Sequence, residues 1–276
     1  MNNVVSVEWL HINLYNTDLI VLDASLKTTA DGSISKSHLD TIPKARYFDL
    51  KNVFLDTNSP FPNTIPNEVH FEIECQKLGI FKDSKIVVFD SKGIYSSPRV
   101  WWLFNLMGHQ NIAVLDGGLP QWVNNGYQIE VRTSKTYDIG NFKAKFQIKN
   151  IKKYQDVLDN LHTKTFIIVD ARSKGRFNGT AKEPRKHLKS GHIQDSINIP
   201  YNEVLTNGKF KTETTLKTLF TKKYNSKKML VFSCGSGLTA CIVMLAHTIA
   251  FNKSQAIYDG SWTEWAELQN LKIDVL

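Results

Sequence analysis

The chain is 276 residues long, with 42% hydrophobic and 22% charged side chains and a formal charge of +8. That balance suits one large or two ordinary globular domains and excludes a disordered polymer. No apolar run reaches the roughly 20 residues that cross a bilayer, and the opening MNNVVSVEWLHINLYN lacks the segments of a secretory leader, so a cytoplasmic protein with no membrane partner is expected.

Short β-branched runs alternate with helical stretches along the chain. IVLDAS (Ile20 to Ser25) reads as a strand and is followed by IPKARYFDL (Ile42 to Leu50). Cys75, in EIECQKLG, reads as a packing residue on a helix face. IVVFDS (Ile86 to Ser91) reads as a further strand, and the loop DSKGIYSSP leads from it into the helical SSPRVWWLFNLMG. Asp116-Gly117 follows, with Trp122 six residues on.

The same order then recurs. IIVDAR (Ile167 to Arg172), IQDSINIPY (Ile193 to Tyr201), MLVFSC (Met229 to Cys234) and Asp259-Gly260 with Trp265 repeat the first series. Asp90 to Asp116 and Ser233 to Asp259 are both separations of 26 residues, so the chain reads as a duplication. The expected division is residues 1–134, a polar aperiodic linker over 135–152, and residues 153–276. Alternating strands and helices predict an α/β fold in which each unit is a mainly parallel sheet with helices on both faces. Overlaying the units at that spacing sets Ser91 opposite Cys234, so the second unit alone carries a thiol there. Asp23 and Asp170, which end equivalent strands, read as structural.

Cys234 stands between the strand ending in Val231-Phe232-Ser233 and an apolar helix over Thr239 to Phe251. A dinucleotide reading of Gly235-x-Gly237-x-x-Ala240 fails because the matching first-unit loop is no such fingerprint. A phosphatase loop needs arginine six residues after the cysteine, and Ala240 stands there. A thiol reading uses every feature: the helix N-terminus and converging backbone N–H groups favour a thiolate or a persulfide anion, and Gly235 and Gly237 let the backbone curl around sulfur. A buried, inert cysteine is the plain alternative. The three cysteines form no C-x-x-C pair and the eight histidines no ligand pair, so no disulfide framework and no metal are expected, in a reducing compartment. The positive charge admits an anionic partner. Lys and Arg are nevertheless dispersed and match no nucleic-acid motif, which leaves a solvated basic surface or a small anionic substrate.

Taken together, VLDAS, SPFPNTIP, YSSPRVWW, LDGGLPQW, VDARSKGRFNG, EPR, SGHI, CGSGLTA and YDGSWTEW resemble the rhodanese family of tandem-domain sulfurtransferases over nearly the whole chain. The resemblance implies two rhodanese-like domains, the first non-catalytic, and a persulfide formed on Cys234. Cys-Gly-Ser-Gly-Leu-Thr resembles the members that take sulfur from 3-mercaptopyruvate, whereas thiosulfate-using members usually carry Cys-Arg-Lys-Gly-Val-Thr. It further implies that Cys234 and Ser236 are catalytic, and that Gly235, Gly237, Leu238 and Thr239 line the substrate. Arg176 and Arg185 match positions that hold an α-keto carboxylate, where planar guanidinium forks suit bidentate recognition. Arg99, on the first-unit loop, is a further candidate for substrate contact.

The implied chemistry is ping-pong transfer from a small-molecule sulfur donor to cyanide or to a thiol acceptor such as thioredoxin or a small thiol, without metal or organic cofactor. The alternatives are a thiosulfate:cyanide sulfurtransferase and a non-catalytic persulfide relay. One departure stands out. Family members often carry a histidine in a His-Ile-Pro-Gly-Ala segment, proposed to relay protons to the loop serine, and Thr41 occupies that position here. His38 is a candidate substitute. His192 is expected to pack beneath the loop, Cys241 to be core, and YDGSWTEW to cap the last helix.

Overall fold

Runs of Val, Ile and Leu too short to be helices and too apolar to lie at a surface build two sheets of the same design. A computed structural model describes residues 1–27, 39–224, 226–253, 255–268 and 273–274. They divide into two units: Met1–Thr57, Ile65–Gln147 and Asn207–Phe210 form the first, and Asn58–Thr64, Ile148–Thr206 and Lys211–Leu276 the second.

In the first unit the elements are β1 (Val4–Val5), α1 (Val7–Asn13), β2 (Leu19–Asp23), β3 (Asp40–Thr41), β4 (Arg46–Tyr47), α2 (Glu68–Lys77), β5 (Lys85–Phe89), α3 (Ser97–Leu106), β6 (Ile112–Leu115), α4 (Gly118–Asn124) and β7 (Glu130–Val131). The sheet runs β1-β6-β5-β2-β4 with every pairing parallel. Its strands are buried on both faces. Val21, Val87, Phe89, Ala113 and Leu115 join Leu10, Leu14 and Trp122 of α1 and α4 in one core cluster, while the alternate residues Ile20, Leu22, Ile86, Val88 and Val114 are equally buried, on the sheet against which α3 packs. Cys75 is buried on α2, and burial pushes its thiol well above the usual range.

The second unit contains β8 (Ile151–Lys152), α5 (Tyr154–Thr163), β9 (Phe166–Asp170), α6 (Lys174–Phe177), β10 (His192–Ile193), β11 (Ile197–Asn198) and β12 (Leu205–Thr206). After β13 (Lys209–Phe210), which belongs to the first unit, come α7 (Glu213–Lys223), β14 (Met229–Ser233), α8 (Thr239–Phe251), β15 (Ala256–Tyr258), α9 (Ser261–Glu267) and β16 (Ile273–Asp274). The sheet order is β11-β9-β14-β15-β8, again all parallel. Strand for strand it matches the first sheet.

Two sequence expectations need correction. The stretch 135–152 is not a linker throughout. Phe142 is buried and its amide bonds to Ile80 O, as Gly140 N does to Gln76 O, so the first unit extends to Gln147. Ile151–Lys152 is the edge strand β8 of the second sheet. The overlay of the units is also displaced by one residue. β2 pairs with β5 so that Asp23 faces Phe89, and β9 pairs with β14 so that Asp170 faces Ser233. Asp90, not Ser91, therefore stands where Cys234 stands. The loops between strand and helix differ in length, and a count of residues across them cannot reveal that shift.

Asp90 is buried, and its carboxylate is wrapped by its own loop. Oδ2 accepts from the amides of Tyr95, Ser96 and Ser97 at 2.9, 3.0 and 2.9 Å and from Ser97 Oγ at 2.7 Å, and Oδ1 accepts from Lys92 N at 2.9 Å. The position before α3 is thus an anion cradle with its anion built in.

Removing that anion orphans several buried donors. Asp90→Ala is expected to lower stability by about 3 kcal/mol, read by urea unfolding; an unchanged midpoint would show that the cradle is not anion-dependent. A second expectation concerns pH. His247, on α8, packs against Phe220, Phe232 and Phe251, and burial, with Lys253 adding to it, lowers its pKa to about 4. The unfolded chain takes up that proton first, so stability present above about pH 6.5 is lost as pH falls toward 4, by about 3 kcal/mol. His247→Gln should flatten that part of the stability–pH curve, and an equally steep curve in the variant counts against the assignment.

Candidate active site

Cys234 to Leu238 join the carboxyl end of β14 to α8, where ligands of open α/β sheets gather. Cys234 is 2% exposed. Gly237 turns the chain at φ +80°, a conformation other residues rarely adopt, and Thr239 opens the helix. The first amides of a helix have no acceptor within it and carry its positive dipole end. Leu238 is buried, and its carbonyl takes Cys241 N at 3.1 Å. Cys241 is also buried and donates its S–H to Gly237 O at 3.3 Å, so it anchors the loop from within the core.

A second turn braces this one. Cys234 N donates to Ser261 Oγ at 3.3 Å, and Ser261 Oγ donates to Tyr258 O at 2.9 Å. Trp262 N bonds to Cys234 O at 2.9 Å and Thr263 N to Gly235 O at 3.0 Å, while Thr263 Oγ1 reaches Gly235 O at 2.6 Å. Ser261 sits at φ 53°, which costs a non-glycine residue energy. Gly118 takes the matching place in the first unit, at φ +52°. YDGSWTEW thus does more than cap α9: it holds both carbonyls that flank the thiol.

A chain of ions runs beneath the loop. Arg172 is completely buried and donates through Nε and Nη2 to Asp170 at 2.6–3.1 Å, through Nη2 to Gly191 O at 2.6 Å, and through Nη1 to Glu183 at 2.8 Å. Burial alone would pull its pKa down, but the two carboxylates hold it up. Glu183 also accepts from Arg176 Nε at 3.0 Å and Nη2 at 2.5 Å. Arg176 is 23% exposed, and its Nη2 lies over Gly235, where an added Cβ would meet it at 2.9 Å. Arg185 Nη1 donates to Thr263 Oγ1 at 3.0 Å. His192 is stacked on Phe177 at 4.0 Å and bonded to its carbonyl.

Cys234, Gly235, Ser236, Gly237, Leu238, Thr239, Arg176 and Arg185 all lie in the second unit: Cys234 to Leu238 and Arg185 on loops, Thr239 at the start of α8 and Arg176 in α6. Arg99 belongs to the first unit. It is not on the loop but on α3, 1% exposed, with its guanidinium 4.5 Å from the centre of the Trp102 ring. The Pro98 helix start draws it into the core. Thr41 donates to Asp23 Oδ2 at 2.8 Å, beside Arg132, which donates to the same oxygen at 2.6 Å. The residue that touches Ser236 is Asn63, whose Nδ2 donates to Ser236 O at 2.8 Å and Oγ at 2.9 Å. His38 lies outside the described residues. The sequence motifs give no separate role to Asn63, Ser261, Thr263, Arg172 or Glu183; Asn63, at φ 61° after Pro62, carries no local signal of its bond to Ser236.

A family model described as Rhodanese-like domain matches residues 6–125 and 153–268. The chain is 38% identical to a Mus musculus protein named 3-mercaptopyruvate sulfurtransferase and 36% identical to a Mus musculus protein named thiosulfate sulfurtransferase, in each case over 95% of this chain and 91% of the relative. Its structure is similar to that of SseA from Escherichia coli, described as showing the rhodanese fold and catalytic mechanism of 3-mercaptopyruvate sulfotransferases. The TM-score is 0.84 and the identity 30%, covering 95% of this chain and 99% of that one.

Glu183 carries two arginines, so Glu183→Gln leaves the buried Arg172 short of one counter-charge. A loss of about 3 kcal/mol in unfolding free energy is expected, measured by denaturant titration at neutral pH. A variant as stable as the parent would remove Glu183 from the network's supports.

Proposed function

The chain belongs to the rhodanese family of sulfurtransferases, and on that premise we propose that it takes sulfur from 3-mercaptopyruvate. In this reading the Cys234 thiolate attacks the donor sulfur. The carbon–sulfur bond breaks, Cys234 keeps the sulfur as a persulfide, and the enolate of pyruvate leaves and takes a proton on carbon. A thiol or cyanide acceptor then attacks the outer sulfur and restores the thiolate, a covalent two-step path. The helix N-terminus and the loop amides stabilise the anion at each stage, and near-complete burial limits side reactions of the persulfide with solvent species.

The observation that carries the donor assignment is the space above Gly235. Arg176 Nη2 lies over it, held by two bonds to Glu183, so a cation already stands beside a loop residue that has no side chain of its own. Arg176 and Arg185 supply two cations for the single carboxylate of a keto acid. Thiosulfate is the second reading. It is favoured by Lys182, Lys186 and Lys189, exposed cations near Arg185 that pair with no carboxylate among the described residues; sulfite would then be the leaving group.

Intact-mass spectrometry after incubation with each donor, paired with steady-state kinetics, separates these readings. Mercaptopyruvate should add one sulfur atom, lost in Cys234→Ser, and should exceed thiosulfate in kcat/KM by roughly tenfold or more. A thiosulfate preference would overturn the donor assignment, and sulfur retained in Cys234→Ser would overturn the site.

A further inference from the structure

Ser236 carries the one side-chain hydroxyl between Cys234 and Thr239, and the way it is held decides what it can do. Asn63 is 4% exposed, at φ 61°, and the segment Asn58–Thr64 belongs to the second unit with the loop. Its Nδ2 bonds both to Ser236 O at 2.8 Å and to Ser236 Oγ at 2.9 Å. A backbone carbonyl can only accept, so the Asn63 atom facing it must be the NH₂ group, and the same group donates to Oγ. Ser236 Oγ is therefore an acceptor toward Asn63, and its single proton is left for another acceptor. Among the described residues no side chain or carbonyl takes that proton.

We propose that Asn63 is a positioning residue that locks Ser236 as a hydrogen-bond donor toward the oxygen that gains charge when the donor's carbon–sulfur bond breaks. This rests on the mercaptopyruvate reading above. An amide does not titrate, so Ser236 held in this way acts as a fixed electrostatic donor to the enolate oxygen and relays no proton, and the proton that ends on carbon comes from solvent. The acceptor step forms no enolate, so the clamp acts on the first half-reaction alone.

Asn63→Asp is the direct test. Its carboxylate accepts where the amide donated, so Ser236 turns its proton onto it. Single-turnover loading of Cys234 by mercaptopyruvate should slow by about 100-fold, the scale for losing one such donor, while discharge of the preformed persulfide to cyanide should keep the parent rate. In a double-mutant cycle, Asn63→Asp combined with Ser236→Ala should load no more slowly than Ser236→Ala alone. A residue that merely held the loop would give additive losses. Asn63→Ala, which removes both bonds without adding charge, should show the same non-additivity, so the test survives if the aspartate variant does not fold. Additive losses, equal slowing of both half-reactions, or loading at the parent rate would overturn the clamp. If the parent protein itself gains no sulfur from mercaptopyruvate, it is the functional reading that fails.

Discussion

Arg172 is the interaction on which the second unit turns. A guanidinium with no exposure is tolerable only when its donors are met and its charge is balanced. Here the partners are Asp170 at the end of β9, Glu183, and the carbonyl of Gly191. Its face lies 4.1 Å from the Trp262 ring centre, and Trp262 N holds Cys234 O. One side chain thus ties together a strand end, the loop that carries Glu183, and the turn that braces the thiol. The first unit fixes Asp23 with Arg132, from far along the sequence, and Ser25 takes the place of Arg172. The strand end is stabilised in both units, but only in the second does the stabilising cation also reach the loop.

The two units differ in what stands between the central strand and the helix that follows it. Before α3 the loop encloses a carboxylate that cannot leave, with amides converging on Asp90 Oδ2. Before α8 the equivalent residue is Cys234, and the loop spans five residues, not seven. Under the proposed function, Cys234 would carry its negative charge at the place where the first unit holds a permanent one.

Much of this was legible in the residues. Alternating apolar runs and helical stretches gave the parallel sheets, and the recurring IVLDAS/IIVDAR and IVVFDS/MLVFSC pairs gave the duplication. The glycines around Cys234 marked a tight loop between strand and helix, and Gly237 turns it at φ +80°. What escaped depended on partners distant in sequence. The Asp90–Cys234 equivalence needed strand register, because loops of unequal length disguise a one-residue shift behind equal spacings. Asn63 reaches Ser236 across 173 positions, and no local pattern announces such a bond. Arg99 was misplaced because a proline after serines reads as a loop end, whereas here it begins a buried helix.

The contact of Arg176 with Gly235 has an evolutionary consequence. A side chain at 235 would meet the tip of Arg176, whose guanidinium donates to Glu183 through two of its nitrogens, and Glu183 also accepts from Arg172. A change at 235 is therefore felt first by Arg176 and, through it, by Glu183. The consequence of a substitution at 235 thus depends on which residues stand at 176 and 183.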